Sequence, residues 1–241
     1  MEIVYQDPHL VVVNKPAGMP SLPERSGPQH KDVLAWLRTH LHPDATLLHR
    51  LDKPTSGLLV AAWDKVVFRE LYAQFSGHTV EKRYWALVEG EPDFVAAELT
   101  APLLTTPTPR VDPYRGKPAL TIAHTVESFR GYALVVCVPA TGRTHQVRLH
   151  LAYYGFPIVG DTTYGGRPLY LSHFHPHYKP DKRYPERPLH SPEVFFLHAG
   201  YLAFLHPITG QKLHVEAALP KHFEVALKQL RRWAARSPAP K

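Results

Sequence analysis

Apolar residues recur along this chain in three patterns, and each predicts a kind of element. Residues 10–14 and 57–63 are short, nearly continuous apolar runs bounded by turn residues, the pattern of strands covered on both faces. Residues 2–5 add a strand across the Asp7-Pro8 turn, and 79–88 alternate well enough for another, closed by Gly90-Glu91-Pro92-Asp93. A strand pair is predicted over 120–129 and 132–138, turning at Gly131. Two more strands flank Pro207-Ile208-Thr209-Gly210.

Helical spacing appears four times. Asp32 caps a helix whose apolar face is Val33, Leu34, Trp36, Leu37 and Leu41, and Asp64 caps one with Val67, Leu71 and Phe75 on one side and Gly77 as its stop. Gly142-Arg143-Thr144 launches a helix through His145 to Tyr154, ended by Gly155. Pro220 opens a last helix with the stripe Phe223, Ala226, Leu227, Leu230 and Trp233, which reads as core packing. Strands outnumber helices and follow one another as hairpins. The predicted class is therefore α+β, with a mixed, largely antiparallel central sheet flanked by helices. One domain over 1–236 is expected, with 237–241 as a frayed tail and no internal repeat.

Composition narrows the function classes. The 28 Lys and Arg against 21 Asp and Glu leave a formal charge of +7, which favours a phosphate-rich partner. Seventeen His add charge that could appear as pH falls toward about 6. The single cysteine, Cys137, excludes an intramolecular disulfide and a cysteine zinc cluster; in Leu134-Val135-Val136-Cys137-Val138 it reads as a small buried hydrophobe. No apolar stretch approaches the roughly 20 residues of a membrane-crossing helix, and the N-terminus is unlike a secretory signal, so the cytoplasm is the expected compartment.

The densest chemistry lies in His49-Arg50-Leu51-Asp52-Lys53-Pro54-Thr55-Ser56-Gly57, where one carboxylate sits between two cations and the chain then turns into an apolar strand. Flanking positive charge favours the ionised carboxylate, the form a nucleophile needs inside a polyanion. By itself this pattern also describes an ordinary surface ion pair. Further stretches occur in series: Tyr5-Gln6-Asp7 with Leu10-Val11-Val12-Val13-Asn14-Lys15-Pro16-Ala17-Gly18, then Lys82-Arg83-Tyr84-Trp85-Ala86-Leu87-Val88. Thr141-Gly142-Arg143-Thr144-His145-Gln146-Val147-Arg148-Leu149-His150 follows, leading to Gly155-Phe156-Pro157-Ile158-Val159-Gly160-Asp161, with a weaker echo at Leu197-His198-Ala199 and His206-Pro207-Ile208-Thr209-Gly210. In this order the segments resemble the RluA-type RNA pseudouridine synthases, over about residues 3–220 and without the small N-terminal RNA-binding domain many of them carry.

That resemblance implies the pseudouridine synthase fold and the isomerisation of uridines in a structured rRNA or tRNA by a monomer, with no metal, redox or nucleotide cofactor. It makes Asp52 the nucleophile or base at the sugar. Tyr84 becomes the ring that stacks on the target uracil and helps remove its C5 proton. Arg148 becomes the basic residue holding the aspartate. Arg50 is expected to enter the space a flipped uridine vacates. His49 and Lys15 either support that loop or touch phosphates; Arg143, His145 and Gln146 either contact RNA or bond structurally.

The chain departs from a minimal family core at an insertion over 166–190. Its His173, His175 and His177 alternate as strand-borne zinc ligands would, but Pro176 interrupts them and no acid or cysteine joins them. A basic, aromatic RNA-gripping loop and a plain surface loop remain the better readings. Two rivals stand beside the enzyme: a catalytically idle relative that binds or folds RNA, and a glycoside hydrolase, which would want two carboxylates in one pocket.

Overall fold

The computed structural model describes residues 1–24, 31–181 and 183–236; the expected tail at 237–241 lies outside them. The elements are β1 (Glu2–Gln6), β2 (Leu10–Lys15), α1 (Val33–His40), β3 (Thr46–Leu47), β4 (Ser56–Ala62), α2 (Lys65–Ser76), β5 (Glu81–Glu89), β6 (Ala97–Leu99), β7 (Leu103–Leu104), β8 (Arg110–Val111), β9 (Thr121–Phe129), β10 (Tyr132–Pro139), α3 (Gln146–Tyr153), β11 (Leu197–Leu205), β12 (Lys212–Glu216) and α4 (Lys221–Trp233). The span read as one domain gathers into two compact units, residues 1–84 with 198–218, and 85–197 with 219–241.

In the first unit, β4 is buried at all seven positions because it lies between partners and between helices. It pairs antiparallel with β2 and β3 and parallel with β11, which in turn pairs antiparallel with β12. The period-two alternation of strands divides the apolar residues between two cores. Leu10, Val12, Leu58, Val60 and Ala62 join Val67 and Leu71 of α2. Val11, Val13, Leu59 and Ala61 join Val33 and Leu37 of α1. Asp32 and Asp64 cap the two helices as the sequence predicts, accepting from Ala35 N and from Val66 N and Val67 N. Gly77 ends α2 with φ −80°, and the left-handed turn falls on His78 at φ 57°.

In the second unit β9 and β10 form the predicted hairpin around Gly131, and β6 adds to β9. The β4–β11 pair is parallel and the other pairs named are antiparallel, so the sheet is mixed and largely antiparallel. The α4 stripe is buried at Phe223, Ala226, Leu227 and Leu230, while Arg231 forks onto Glu127 of β9 at 3.0 and 2.7 Å. α3 begins three residues later than Gly142-Arg143-Thr144 suggests, because His145 takes a left-handed conformation (φ 57°) as its N-cap. The strands β3, β6, β7 and β8 carry no signal of their own; two or three residues show no periodicity.

Gly57, five residues after Asp52, has φ 120°, and a Cβ there would lie 2.2 Å from Ala199 O. Gly57→Ala is expected to cost about 3 kcal/mol through strain and separation of β4 from β11. An unchanged denaturant midpoint would refute that account.

Candidate active site

The turn carrying Asp52 is held by the segment that follows β2. Ser21, 4% exposed, donates its hydroxyl to Leu51 O at 2.7 Å and accepts from Leu51 N at 3.0 Å. Gly18 N donates to Lys53 O at 2.8 Å, and Thr55 N closes the turn onto Asp52 O at 3.0 Å. Lys15 is fully buried, and its ammonium donates to Pro16 O (3.0 Å), Met19 O (2.7 Å) and Lys53 O (3.0 Å). Burial pulls its pKa down to about 7 and the nearby Asp52 charge pushes it back up. Three carbonyls take three N–H bonds, and only the protonated amine has three, so the cage fits the cation. Of the two readings the sequence left open, phosphate contact or loop support, this burial gives Lys15 no exposed surface and three bonds within the loops.

His49 is likewise structural. Its ring stacks on Phe75 at 4.6 Å, and its Nε2 accepts from Val60 N at 3.2 Å, which places the proton on Nδ1. Burial, with the charge of Lys82 added, pushes its pKa down to about 3, so it carries no charge to offer a phosphate. Arg50, between these anchored neighbours, is exposed. Tyr84 packs partly buried against the core that holds Leu51 and Ala199. Burial and then the charge of Asp52 raise its phenol pKa, which places Tyr84 within electrostatic reach of that carboxylate. Beneath the turn, Ser56 and His198 share a 2.9 Å hydrogen bond, and His198 Nε2 reaches Ala217 O at 3.2 Å.

The second unit seats Arg148. Its Nε and Nη2 fork onto Asp161 at 2.7 and 2.9 Å, with side chains 6% and 2% exposed. The guanidinium lies over the rings of Tyr164 (4.8 Å) and Phe195 (4.6 Å). Tyr164 in turn meets His145 Nδ1 at 2.7 Å, so the left-handed N-cap of α3 is tied to the same ring that flanks Arg148. Gln146 is 4% exposed and saturated: its Oε1 accepts from Thr141 and Arg143 N, and its Nε2 donates to Leu120 O and Thr121 Oγ1. Of the two readings of Gln146, RNA contact or structural bonding, these bonds occupy its amide within the fold. Arg143 stays partly exposed with Nε on Pro118 O at 3.3 Å. His150 completes the network, between Thr121 Oγ1 (3.0 Å) and Ala101 O (2.9 Å).

Asp161 ends the Gly155–Asp161 stretch, but its pairing with Arg148 thirteen positions away, like the places of Tyr164 and Phe195, has no local signature. Among the described residues no three His, Cys, Asp or Glu side chains converge as metal ligands would. Instead His175 packs on Trp233 at 3.8 Å and Phe174 is buried against Tyr132. Cys137 is fully buried and its thiol pKa is pushed up to about 12, as an inert hydrophobe requires.

Lys15→Met should leave three carbonyls without donors and loosen the Asp52 turn, costing about 2–4 kcal/mol. Denaturant unfolding checks this, and a variant as stable as the parent would show the cage to be dispensable.

Comparison with known proteins places the chain in a family. Residues 9–153 match the family described as RNA pseudouridylate synthase. The ribosomal large subunit pseudouridine synthase C of Vibrio cholerae is 39% identical over 237 residues, covering 95% of this chain and 69% of that protein. The tRNA pseudouridine synthase C of the same organism is 36% identical, covering 95% of each. The solved structure of human RNA pseudouridylate synthase domain containing 4 superposes with a TM-score of 0.73 at 26% identity, covering 95% of this chain and 93% of that one. With its motifs, fold and relatives in agreement, the chain belongs to the RNA pseudouridylate synthase family, in its RluA type, and is an RNA pseudouridine synthase, an isomerase.

Proposed function

We propose that the protein converts specific uridines of a ribosomal or transfer RNA into pseudouridine, with Asp52 opening the reaction at the ribose of a flipped-out nucleotide. The N1–C1′ bond breaks, the uracil turns, and a C5–C1′ bond forms as the C5 proton leaves and N1 regains one. Asp52 acts at the sugar, by attack on C1′ or by taking a sugar proton. The observation that carries this reading is the clamp on the Asp52 turn: Lys15, Gly18 and Ser21 fix the backbone on both sides of the carboxylate. Such preorganisation is what a group acting at one carbon of a large substrate needs.

Tyr84 serves as the stacking platform for the freed uracil. Burial and then the charge of Asp52 raise its phenol pKa, so the ring meets the uracil in its neutral, flat form. Arg148, fixed by Asp161 and two rings, supplies a cation of set orientation, and the exposed Arg50 fills the stack the uridine leaves. Arg143 and His145 are read as contacts to the RNA backbone. An idle RNA-binding relative is the second reading; the intact Asp52, Tyr84 and Arg148 weigh against it.

Asp52→Asn should abolish tritium release from bulk rRNA and tRNA carrying 5-tritiated uridine while RNA affinity stays within a few-fold. Wild-type release from one pool names the RNA to map; turnover that survives in Asp52→Asn would sink the mechanism. Arg50→Ala should slow the enzyme about tenfold or more on paired targets and regain much of that on an RNA whose target uridine is already unpaired, since unstacking costs a few kcal/mol. No regain would assign Arg50 another task.

A further inference from the structure

The insertion that departs from the minimal family core builds a surface that the proposed chemistry does not use. Where it returns toward β11, residues 187–192 and the first turns of α4 enclose an open cleft of about 680 Å³, within the range of small-molecule sites. Pro188, Leu189, Pro192 and Val225 give it apolar walls, and Arg187 and Lys221 stand over them. No carboxylate lines it among the described residues, and neither cation makes an ion pair among them.

The walls are prebuilt. His190, 6% exposed, donates from Nδ1 to Ser191 O at 2.9 Å and accepts at Nε2 from Leu169 N at 3.3 Å, so both ring nitrogens are used. Leu189 N is held by Leu169 O at 2.8 Å, and Val194 N by Ser191 O at 3.1 Å. The ring of His190 lies so close to Gly160, φ 84°, that a Cβ there would sit 2.8 Å from its Cε1. A ligand entering this cleft orders little that is not already ordered, which removes one of the main costs of binding.

Apolar walls under two unpaired cations suit a ligand with one flat apolar face and one anionic group. We propose that the cleft docks an unpaired nucleotide of the substrate RNA, its base against Pro188, Leu189, Pro192 and Val225 and its phosphate between Arg187 and Lys221. The inference rests on the RNA-modifying reading above and gives the insertion a task in substrate selection: an RNA that offers a single-stranded nucleotide at this cleft is preferred over one that does not. Charge favours RNA over a protein partner. Helix α4 carries Lys221, Lys228 and Arg232, besides the Arg231 that pairs with Glu127, against the single acid Glu224.

The test uses the full chain with Arg187→Glu combined with Lys221→Glu, and separately Val225→Asp, with thermal melting to show that both variants fold. Both should raise KM about tenfold for tritium release from bulk rRNA or tRNA while kcat stays within twofold. Binding of a fluorescein-labelled oligouridylate strand should weaken in parallel. For the double variant, the slope of log affinity against log salt should become shallower by about 0.7, the loss of one phosphate contact on a single strand. Unchanged KM and unchanged oligouridylate affinity in a wild type that does isomerise uridine would overturn the cleft's role alone. A wild type that releases no tritium would overturn the enzymatic reading instead, while the oligouridylate titration still decides the cleft.

Discussion

The ammonium of Lys15 is the point on which the candidate centre hangs. A buried cation is expensive unless its donors are all used, and here three carbonyls use all three. Two of those carbonyls belong to the segment after β2 and the third to Lys53, next to Asp52. One charge therefore joins two loops that are far apart in sequence. Gly18 N and Ser21 Oγ repeat the join with neutral bonds. The result is a short turn whose backbone hydrogen bonds run to another loop on each side of the carboxylate, the rigidity that positioning a reactive group demands.

The same economy of protons recurs in the buried histidines. His49, His150 and His198 each have their pKa lowered by burial, and each sits where a neutral ring with one donor and one acceptor nitrogen is accommodated. The seventeen histidines therefore do not form one reserve of positive charge: these three hold strands and loops in register, and burial disfavours their charged form. The basic character that suits a polyanionic partner rests on lysine and arginine.

Arg148 shows how a charge is made directional. The Asp161 fork fixes the plane of its guanidinium, which lies over the rings of Tyr164 and Phe195. A buried pair of this kind gains little net stability, since desolvation offsets most of the attraction. What it gains is orientation. The strained left-handed His145, tied to Tyr164, joins the helix start to that same seat.

Strand and helix positions follow from local chemistry, and so could be read from the chain. Alternation in β2 and β4, the Asp32 and Asp64 caps and the turn at Gly131 act over a few residues. The motifs around Asp52, Tyr84 and Arg148 are equally contiguous. The roles of Lys15, His49 and Gln146 were not legible, because whether a polar side chain faces RNA or a buried carbonyl depends on segments far away in sequence. Lys15 meets Lys53 across 38 positions, Gln146 meets Leu120 across 26, and His198 meets Ser56 across 142. No periodicity encodes such contacts. They arise when burial removes water and each polar atom must find a partner within the fold, so tertiary packing alone decided which polar side chains are bonded inside and which stay exposed.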